Sequence, residues 1–451
     1  MTECSKGQQK NPEQLQLHLA GLKEIRMNFE GGDITSDAGL LLIRAYDEEQ
    51  KFTERMGRLL FDPRQSGKVV HAQVSLIRQR LYQIIAGYED CNDADRMRFD
   101  PTLKVVCATK SAEAELASQP TLSRFENRVG KWDLAKLNTH LLEAGLPRKR
   151  RRRQVILDID STDDPCHGQQ QLALFNGFYD QYMYLPLLVF DGERQDLLSV
   201  TLRDGRSDDA RDAVAALQPI VYRLQAGRRG GGPTIIVRGD AGFATPALYE
   251  FCEQHRLTYC LGLPANAVLK RKAQSLLERV VADFERTQQP QRNYSGFWYR
   301  AQSWSRSRWV IVKAECNPEG TNLRFVVTNK KGSAQEVYEF YADRGESENW
   351  IKELKRGFRG DRLSCHTFAA NSFRLLLHAL AYTLVHQWRR HTLQRTELQN
   401  AQIDTLRVKV IKVGARVVHS ARRIWFHLAS GYPFAYLWTR AAQTLPCLEA
   451  T

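Results

Sequence analysis

The spacing of apolar residues changes along the chain, and each change marks a different kind of structure. Up to residue 150 the apolar positions recur at helical spacing, most clearly over residues 38–49 and 69–87. Residues 119–125 combine a turn with a helix cap that opens another short, basic helix. The pattern therefore predicts that residues 1–150 form a helical N-terminal DNA-binding region, although helical bundles of other purpose look the same.

The middle of the chain reads as strands alternating with helices. The predicted strands cover residues 155–160, 182–190, 197–202, 234–237 and 258–263, with helices at 208–225 and 245–255. Three consecutive strands followed by alternation predict an α/β fold, a mixed sheet covered by helices. This pattern sets the first part of a core domain at residues 151–264.

The second half contains an interruption and a return to helices. Residues 265–332 include one helix and three stretches that alternate like strands, so they are predicted to form a mainly β insertion. Residues 333–392 are predicted to be the second part of the core, ending in a long apolar helix. Residues 393–451 are predicted to be a basic C-terminal region that contacts DNA or a second copy of the chain. Alternating valine and basic residues around Gly414 favour a basic β-hairpin over residues 406–420, although helical pairing also fits.

One stripe of the predicted helix after residue 333 gathers a single carboxylate among cations. At about 100° per residue, the side chains on this stripe lie within about 60° of Tyr341. Glu346 and Glu353 point away from it, and an apolar stripe that can face a core lies beside it, formed by Phe340, Ile351, Leu354 and Phe358. Taken alone, a solvated helix face with an Arg344–Glu348 ion pair explains the stripe, and a site for a metal ion and an anionic backbone is the alternative. The stripe consists of Tyr341, Arg344, Glu348, Lys352, Lys355 and Arg359.

Composition favours a polyanionic partner. The chain has 451 residues, a net charge of +14 and a pI near 9.4, and nucleic acid is the commonest partner of so basic a protein. No stretch reaches the length of a transmembrane helix and the first residues lack an apolar signal core, so a cytoplasmic protein is predicted. Nine cysteines without a Cys-x-x-Cys pair argue against a disulfide framework and a zinc ribbon.

Two aspartates end predicted strands, which is a common place for chemistry in α/β sheets. Asp160 closes one strand and Asp240 closes another, and each has a turn or cap aspartate as its alternative interpretation. Asp158 faces the same side of its strand as Asp160 and competes with it. Asp163 and Asp164 are predicted to be turn residues. Oxygen ligands of this kind suit Mg²⁺ or Mn²⁺ better than zinc.

These residues belong to three motifs that resemble those of DDE transposases. The third motif is similar to the Tyr-Arg-Glu-Lys signature of bacterial insertion-sequence transposases, and Glu348 follows Asp240 by 108 positions, which leaves room for the insertion. Residues 160–177, together with 34–39 and 87–90, further resemble the branch called the IS-thirteen-eighty group. The motifs are Asp160-Ser161-Thr162, Arg238-Gly239-Asp240-Ala241-Gly242-Phe243 and the set Tyr341, Arg344, Glu348 and Lys355.

The resemblance implies an RNase H-like core in which Asp160, Asp240 and Glu348 are the catalytic residues and the ligands of two Mg²⁺ ions, with Mn²⁺ as a substitute. It implies an enzyme that cleaves an insertion sequence at its terminal inverted repeats and joins the 3′-hydroxyl ends to target DNA. The expected partners are double-stranded DNA and a second copy of the chain, with no membrane and no small-molecule substrate. The alternatives are a nuclease of the same fold without strand transfer and a domesticated, non-catalytic DNA-binding protein.

Cations and aromatic residues around this site are expected to contact DNA. The resemblance gives that role to Tyr341, Arg344 and Lys355. The basic run 148–153 is either a phosphate-contacting tether or a solvated linker, and the tryptophans of the insertion either stack on a flipped base or fill a core. The remaining candidates are Lys352, Arg359, Arg238, Arg150, Arg152, Trp298, Trp304 and Trp309.

Overall fold

The computed structural model describes residues 15–109, 114–146, 152–208, 210–226 and 232–445. Its N-terminal part is mainly helical, with three short strands before the first helix. The elements are β1 (Leu15–Leu17), β2 (Ile25–Met27), β3 (Ile34–Thr35), α1 (Leu40–Gln50), α2 (Phe52–Leu59), α3 (Gln73–Ala86), α4 (Ala94–Met97), α5 (Pro101–Cys107), α6 (Gln119–Asn127) and α7 (Lys131–Gly145).

The middle of the chain alternates strands and helices in the predicted order. One predicted strand, 182–190, is two strands, because Pro186 lacks the N–H that a continuous ladder requires. The elements are β4 (Gln154–Ser161), β5 (Asp164–Pro165), β6 (Leu174–Asn176), β7 (Gln181–Tyr184), β8 (Leu187–Asp191), β9 (Leu197–Thr201), α8 (Ala213–Gln225), β10 (Thr234–Gly239), α9 (Pro246–Gln254) and β11 (Thr258–Leu263).

The second half supplies a long helix, three long strands and the remaining helices. The elements are α10 (Ala267–Thr287), β12 (Gln291–Tyr299), β13 (Arg308–Asn317), β14 (Gly320–Thr328), α11 (Ala334–Ala342), α12 (Ser347–Lys352), α13 (Phe368–Thr392), α14 (Ile403–Leu406), β15 (Ala415–His419), β16 (Ile424–Leu428) and α15 (Ala435–Gln443).

A mixed sheet of eight strands organises the molecule, in the order β12-β13-β14-β11-β10-β4-β8-β9. Within it β4 is parallel to β10 and antiparallel to β8, and β10 is parallel to β11. The predicted α/β class is therefore confirmed. The strands of the insertion do not form a sheet of their own, because β14 pairs with β11 and extends the same ladder.

Helix α13 lies at the centre of the larger of two main cores. Its apolar side chains pack with those of α1, α3, α6 and α7 and with β8 and β9. The buried Glu126 of α6 pairs with Arg80 of α3 at 2.7 Å and with Arg374 of α13 at 3.5 Å. By length and composition α13 is able to cross a membrane, which corrects the expectation that no stretch is long enough, and 83% of its apolar window is buried inside the protein.

The segment after α11 differs from the single regular helix that the stripe assumes. Residues Asp343–Glu346 form a 3-10 turn between α11 and α12, and Glu353–Gly357 form a π-helical turn after α12. Ile351, Leu354 and Phe358 are buried as predicted. Each turn changes the angle per residue, so the stripe becomes a bent surface whose side chains diverge from the ideal helical positions.

The C-terminal hairpin is displaced from its predicted position. Residues Arg407–Ile411 form a π-helical turn, and the hairpin consists of β15 and β16, which pair from Ala415 with Leu428 to His419 with Ile424. Gly414 precedes the hairpin and does not turn it. The helical interpretation of residues 406–420 is therefore correct for their first half, residues 406–411.

Candidate active site

Asp160 and Asp240 lie next to each other because of the strand register. The parallel pairing of β4 with β10 sets Ile159 opposite Gly239, so the next residue of each strand is one of the two aspartates. Asp160 is 8% exposed, and one of its oxygens accepts the backbone N–H of Ser161 at 2.9 Å. Asp240 is half-buried and accepts the N–H of Gly242 at 2.9 Å.

A capped helix brings Tyr341 to the same edge of the sheet. Ser333 and Glu336 form a reciprocal capping box that fixes the start of α11. At the other end of α11 the Tyr341 hydroxyl approaches Gly262 of β11, where a Cβ atom would lie 2.7 Å from it. Burial and the charge of Asp240 raise the pKa of Tyr341 above its ordinary value, in opposition to Arg344.

Arg344 joins the aspartate pair to Glu348. Its Nη1 donates to Asp160 Oδ2 at 2.9 Å, and its Nη2 lies 4.0 Å from Glu348 Oε1. Glu348 has 55% of its side chain exposed, whereas that of Arg344 is 16% exposed. The Arg344–Glu348 pair that a solvated helix face would contain is therefore present, but it continues to a carboxylate 184 residues away in the sequence.

The three carboxylates repel one another. Burial, with the charges of Asp240 and Glu348, raises the pKa of Asp160 to about 7, although Arg344 and the N–H of Ser161 act in the opposite direction. In the ranges that the structure describes, no three His, Cys, Asp or Glu side chains already form a tight metal-binding cluster. The donor set nevertheless fits divalent cations, because they prefer carboxylate oxygens and would relieve this repulsion.

The other cations of the stripe have different surroundings. Lys355 is half-buried in the π-helical turn and donates from Nζ to the Asp163 carbonyl at 2.7 Å and to its carboxylate at 2.8 Å. Lys352 is exposed. Arg359 is exposed and lies 4.0 Å from Glu89. Asp163, predicted to be a turn residue, thus anchors Lys355. In the sequence, the only sign of this contact is that a half-buried lysine needs an acidic partner.

Arg238 does not contact solvent, which contradicts its predicted DNA contact. It is 2% exposed and binds both oxygens of Asp158, at 2.6 and 2.8 Å. Its third contact is the carbonyl of Phe340, at 2.8 Å. The same pair removes Asp158 as a competitor of Asp160, because both of its oxygens are already satisfied.

The remaining predicted DNA contacts have mixed outcomes. Trp304 is 4% exposed and packs on Tyr249 and Tyr299, so burial contradicts the prediction that it stacks on a base. Trp298 is 63% exposed and Trp309 is half-buried beside it. Arg152 is engaged with Asp191 and Glu193, which leaves its side chain 15% exposed and corrects its predicted role. Arg150 lies outside the described residues.

Asp164, predicted to be a turn residue, is a buried carboxyl. It is 1% exposed, and neither of its side-chain oxygens has a hydrogen-bond partner in the described structure. Burial, with the charges of Asp361 and Asp163, raises its pKa to about 9, against the effect of Lys355. Asp164 pairs through its backbone with Tyr184 in a small sheet beside the site, so the predicted turn is wrong.

Comparison with known proteins identifies the family of the chain. No curated protein matches the chain. A family model described as transposase DDE domain group 1 matches residues 17–450. This match covers the helical N-terminal part, the sheet with its three added strands and the C-terminal hairpin. The chain therefore belongs to the DDE transposase family.

Proposed function

We propose that the protein cuts an insertion sequence out of DNA at its terminal inverted repeats and joins the 3′-hydroxyl ends to target DNA. The observation that carries this proposal is the pairing of Asp160 and Asp240 at the ends of parallel neighbours, with Arg344 linking Asp160 to Glu348. An RNase H-like core is supported by the strand order β9-β8-β4-β10-β11, in which the first and fourth strands of the core are central.

Asp160, Asp240 and Glu348 would hold two Mg²⁺ ions, or Mn²⁺ in their place. When bound, such ions activate a water or 3′-hydroxyl nucleophile and stabilise the departing oxygen. Arg344 holds Asp160 in position and favours its ionised form. Tyr341, Lys355 and the exposed Lys352 would contact the phosphate backbone, and Lys355 would do so while its ammonium is positioned by Asp163.

The Tyr-Arg-Glu-Lys signature and the likeness to the IS-thirteen-eighty group support an insertion-sequence enzyme of bacterial origin. We further propose that the helical N-terminal region recognises the element ends and that two copies act together, because each element has two ends to pair. Trp298, which is exposed beside Trp309, is the remaining candidate for stacking on an unpaired base.

The catalytic assignment is tested by Asp160→Asn, Asp240→Asn and Glu348→Gln. We expect each variant to lose Mg²⁺-dependent cleavage of a duplex taken from the DNA that flanks the coding sequence, while its affinity for that duplex stays within a few-fold of wild type. Glu346→Gln is the matched control, because Glu346 is exposed on the same segment. Normal cleavage by all three variants contradicts the assignment.

Strand transfer needs a separate measurement. A pre-cleaved end with a free 3′-hydroxyl is incubated with supercoiled plasmid and Mg²⁺, and joined product is detected on a gel. We expect joining by the wild type and none by Asp160→Asn. Cleavage without joining would instead support a nuclease of the same fold.

A further inference from the structure

The hairpin β15–β16 carries positive charge that no nearby acidic residue in the sequence balances. No Asp or Glu occurs between Asp404 and Glu449, a stretch that includes the whole hairpin. In the part of the chain that the structure describes, the guanidinium groups of Arg416, Arg422 and Arg423 have no carboxylate partner, whereas Arg152, Arg238 and Arg344 are each ion-paired. The hairpin cations are therefore available to an external anion.

The hairpin is fixed at its base and exposed at its tip. Ala415 and Val417 are 3% and 4% exposed; Ala415 belongs to a small apolar cluster with Phe426 and Leu428, and Val417 pairs across the strands with Phe426. Strand β15 also pairs with β3, and the Val417 N–H donates to the carbonyl of Asp33 at 2.7 Å. These contacts hold the base of the hairpin against the body of the protein.

The outward face interleaves cations with rings. Arg416 pairs across the strands with His427, and Val418 pairs with Trp425, so all four side chains alternate away from the anchored face. Trp425 is 49% exposed, stacks on His427 with ring centroids 6.0 Å apart, and lies under the guanidinium of Arg423. These two rings thus form a flat surface with cations along its edge.

We infer that the β15–β16 hairpin is a DNA-binding ribbon that enters the major groove of double-stranded DNA, an inference that rests on the proposed function. The major groove admits a two-stranded β-ribbon, and arginines reach both phosphates and guanine edges from such a ribbon. Arg422 and Arg423 at the tip contact phosphates, and Arg416 faces the base edges. A symmetric contact with a second copy fits less well, because it would set the same unpaired arginines against each other.

The tip is tested by the double variant Arg422→Ala/Arg423→Ala. Its affinity for a short duplex of mixed sequence is measured by fluorescence anisotropy between about 50 and 200 mM salt. We expect affinity to fall about tenfold and the salt slope to decrease by about 1.8, which corresponds to two lost phosphate contacts. Arg279→Ala/Arg286→Ala on α10 is the control with equal charge loss, and it should bind like wild type. Circular dichroism checks that both variants fold.

The groove is tested by dimethyl sulfate, which methylates guanine N7 on the major-groove side. Wild-type protein should protect guanines under the hairpin, and Arg416→Ala should restore their reactivity. Unchanged affinity and salt slope in the tip variant overturn the inference, and so does a loss of self-association in that variant without any loss of DNA binding. Hairpin-dependent binding by a wild-type protein that never cleaves DNA contradicts the proposed function and leaves the ribbon standing.

Discussion

At the scale of single residues, the site is defined by carboxyl groups in unequal surroundings. Asp160 has a cation within hydrogen-bond distance, whereas Asp164 is buried with both oxygens unsatisfied. A buried carboxyl without a partner favours its neutral form, because ionisation in an apolar environment is costly. The two aspartates therefore differ in what they predict: Asp160 belongs to the proposed metal site, and Asp164 is expected to affect stability.

Asp164 should make the folded protein less stable as pH rises. Below about pH 4 the carboxyl is protonated in the folded and unfolded chains alike. Between there and its folded pKa of about 9, the unfolded chain releases a proton that the folded chain retains, so the free energy of unfolding falls with pH. We expect Asp164→Asn to remove up to about 4 kcal/mol of this loss between pH 5 and pH 8, measured by urea denaturation.

Asp343→Asn is the control for this measurement, because Asp343 is exposed on the segment that carries the site. Its unfolding free energy should follow the wild-type pH dependence. Equal pH dependence in Asp164→Asn and wild type would show that Asp164 ionises freely in the folded protein, contrary to its burial.

At the scale of elements, the register of the strands determines which side chains meet, and the sequence alone does not reveal that register. The ends of β4 and β10 are visible in the sequence because apolar runs stop at Asp160 and Asp240. The partner of Arg238 cannot be identified from the sequence, because Asp158 precedes it by 80 positions and only the pairing of β4 with β10 brings the two residues together. An arginine beside a catalytic motif resembles a DNA contact until its partner on the neighbouring strand is known.

The helix that carries Glu348 is a second case in which the sequence predicts only part of the structure. The helical period correctly separates the buried Ile351, Leu354 and Phe358 from the exposed Glu348 and Lys352. It does not predict the 3-10 and π-helical turns, because these depend on packing against distant elements. Gly357, for example, lies so close to Ile403 that an added Cβ would be 2.4 Å from its methyl group.

The Asp158–Arg238 pair should contribute to stability rather than to DNA binding. Arg238→Ala leaves a buried carboxylate unpaired, and we expect the free energy of unfolding to fall by about 3–5 kcal/mol. The double variant Asp158→Ala/Arg238→Ala should lose less than the two single variants added together, because neither charge is then left alone. Urea denaturation measures all three. Additive losses would mean that the pair is not coupled in the folded protein.

At the scale of the whole molecule, the predicted regions share cores. The helices of residues 1–150 and the core helix α13 pack in one cluster, and the buried Arg80–Glu126–Arg374 group connects three helices across it. The sequence suggests boundaries where composition changes, such as the basic run at 148–153. The sequence does not show the packing across these boundaries, because an apolar face does not specify which other face it packs against.

The shared core predicts cooperative unfolding. We expect the full chain to unfold in a single calorimetric transition, and a fragment starting at residue 152 to lack it, because α13 would expose the apolar face that the N-terminal helices cover. A fragment of residues 265–332 is the comparison, and it too should fail to fold alone since β14 pairs with β11. A sharp transition in the fragment from residue 152 would establish independent domains instead.

The continuous sheet also has a mechanical consequence. The outermost strand of the insertion, β12, connects to the strand that ends at Asp240 through an unbroken series of hydrogen-bonded neighbours, β13, β14 and β11. Close-packed, hydrogen-bonded layers transmit displacement with little internal give. A displacement of the insertion would therefore be carried through neighbouring strands to the edge of the sheet where Asp240 lies, with no break in the hydrogen-bonded ladder between them.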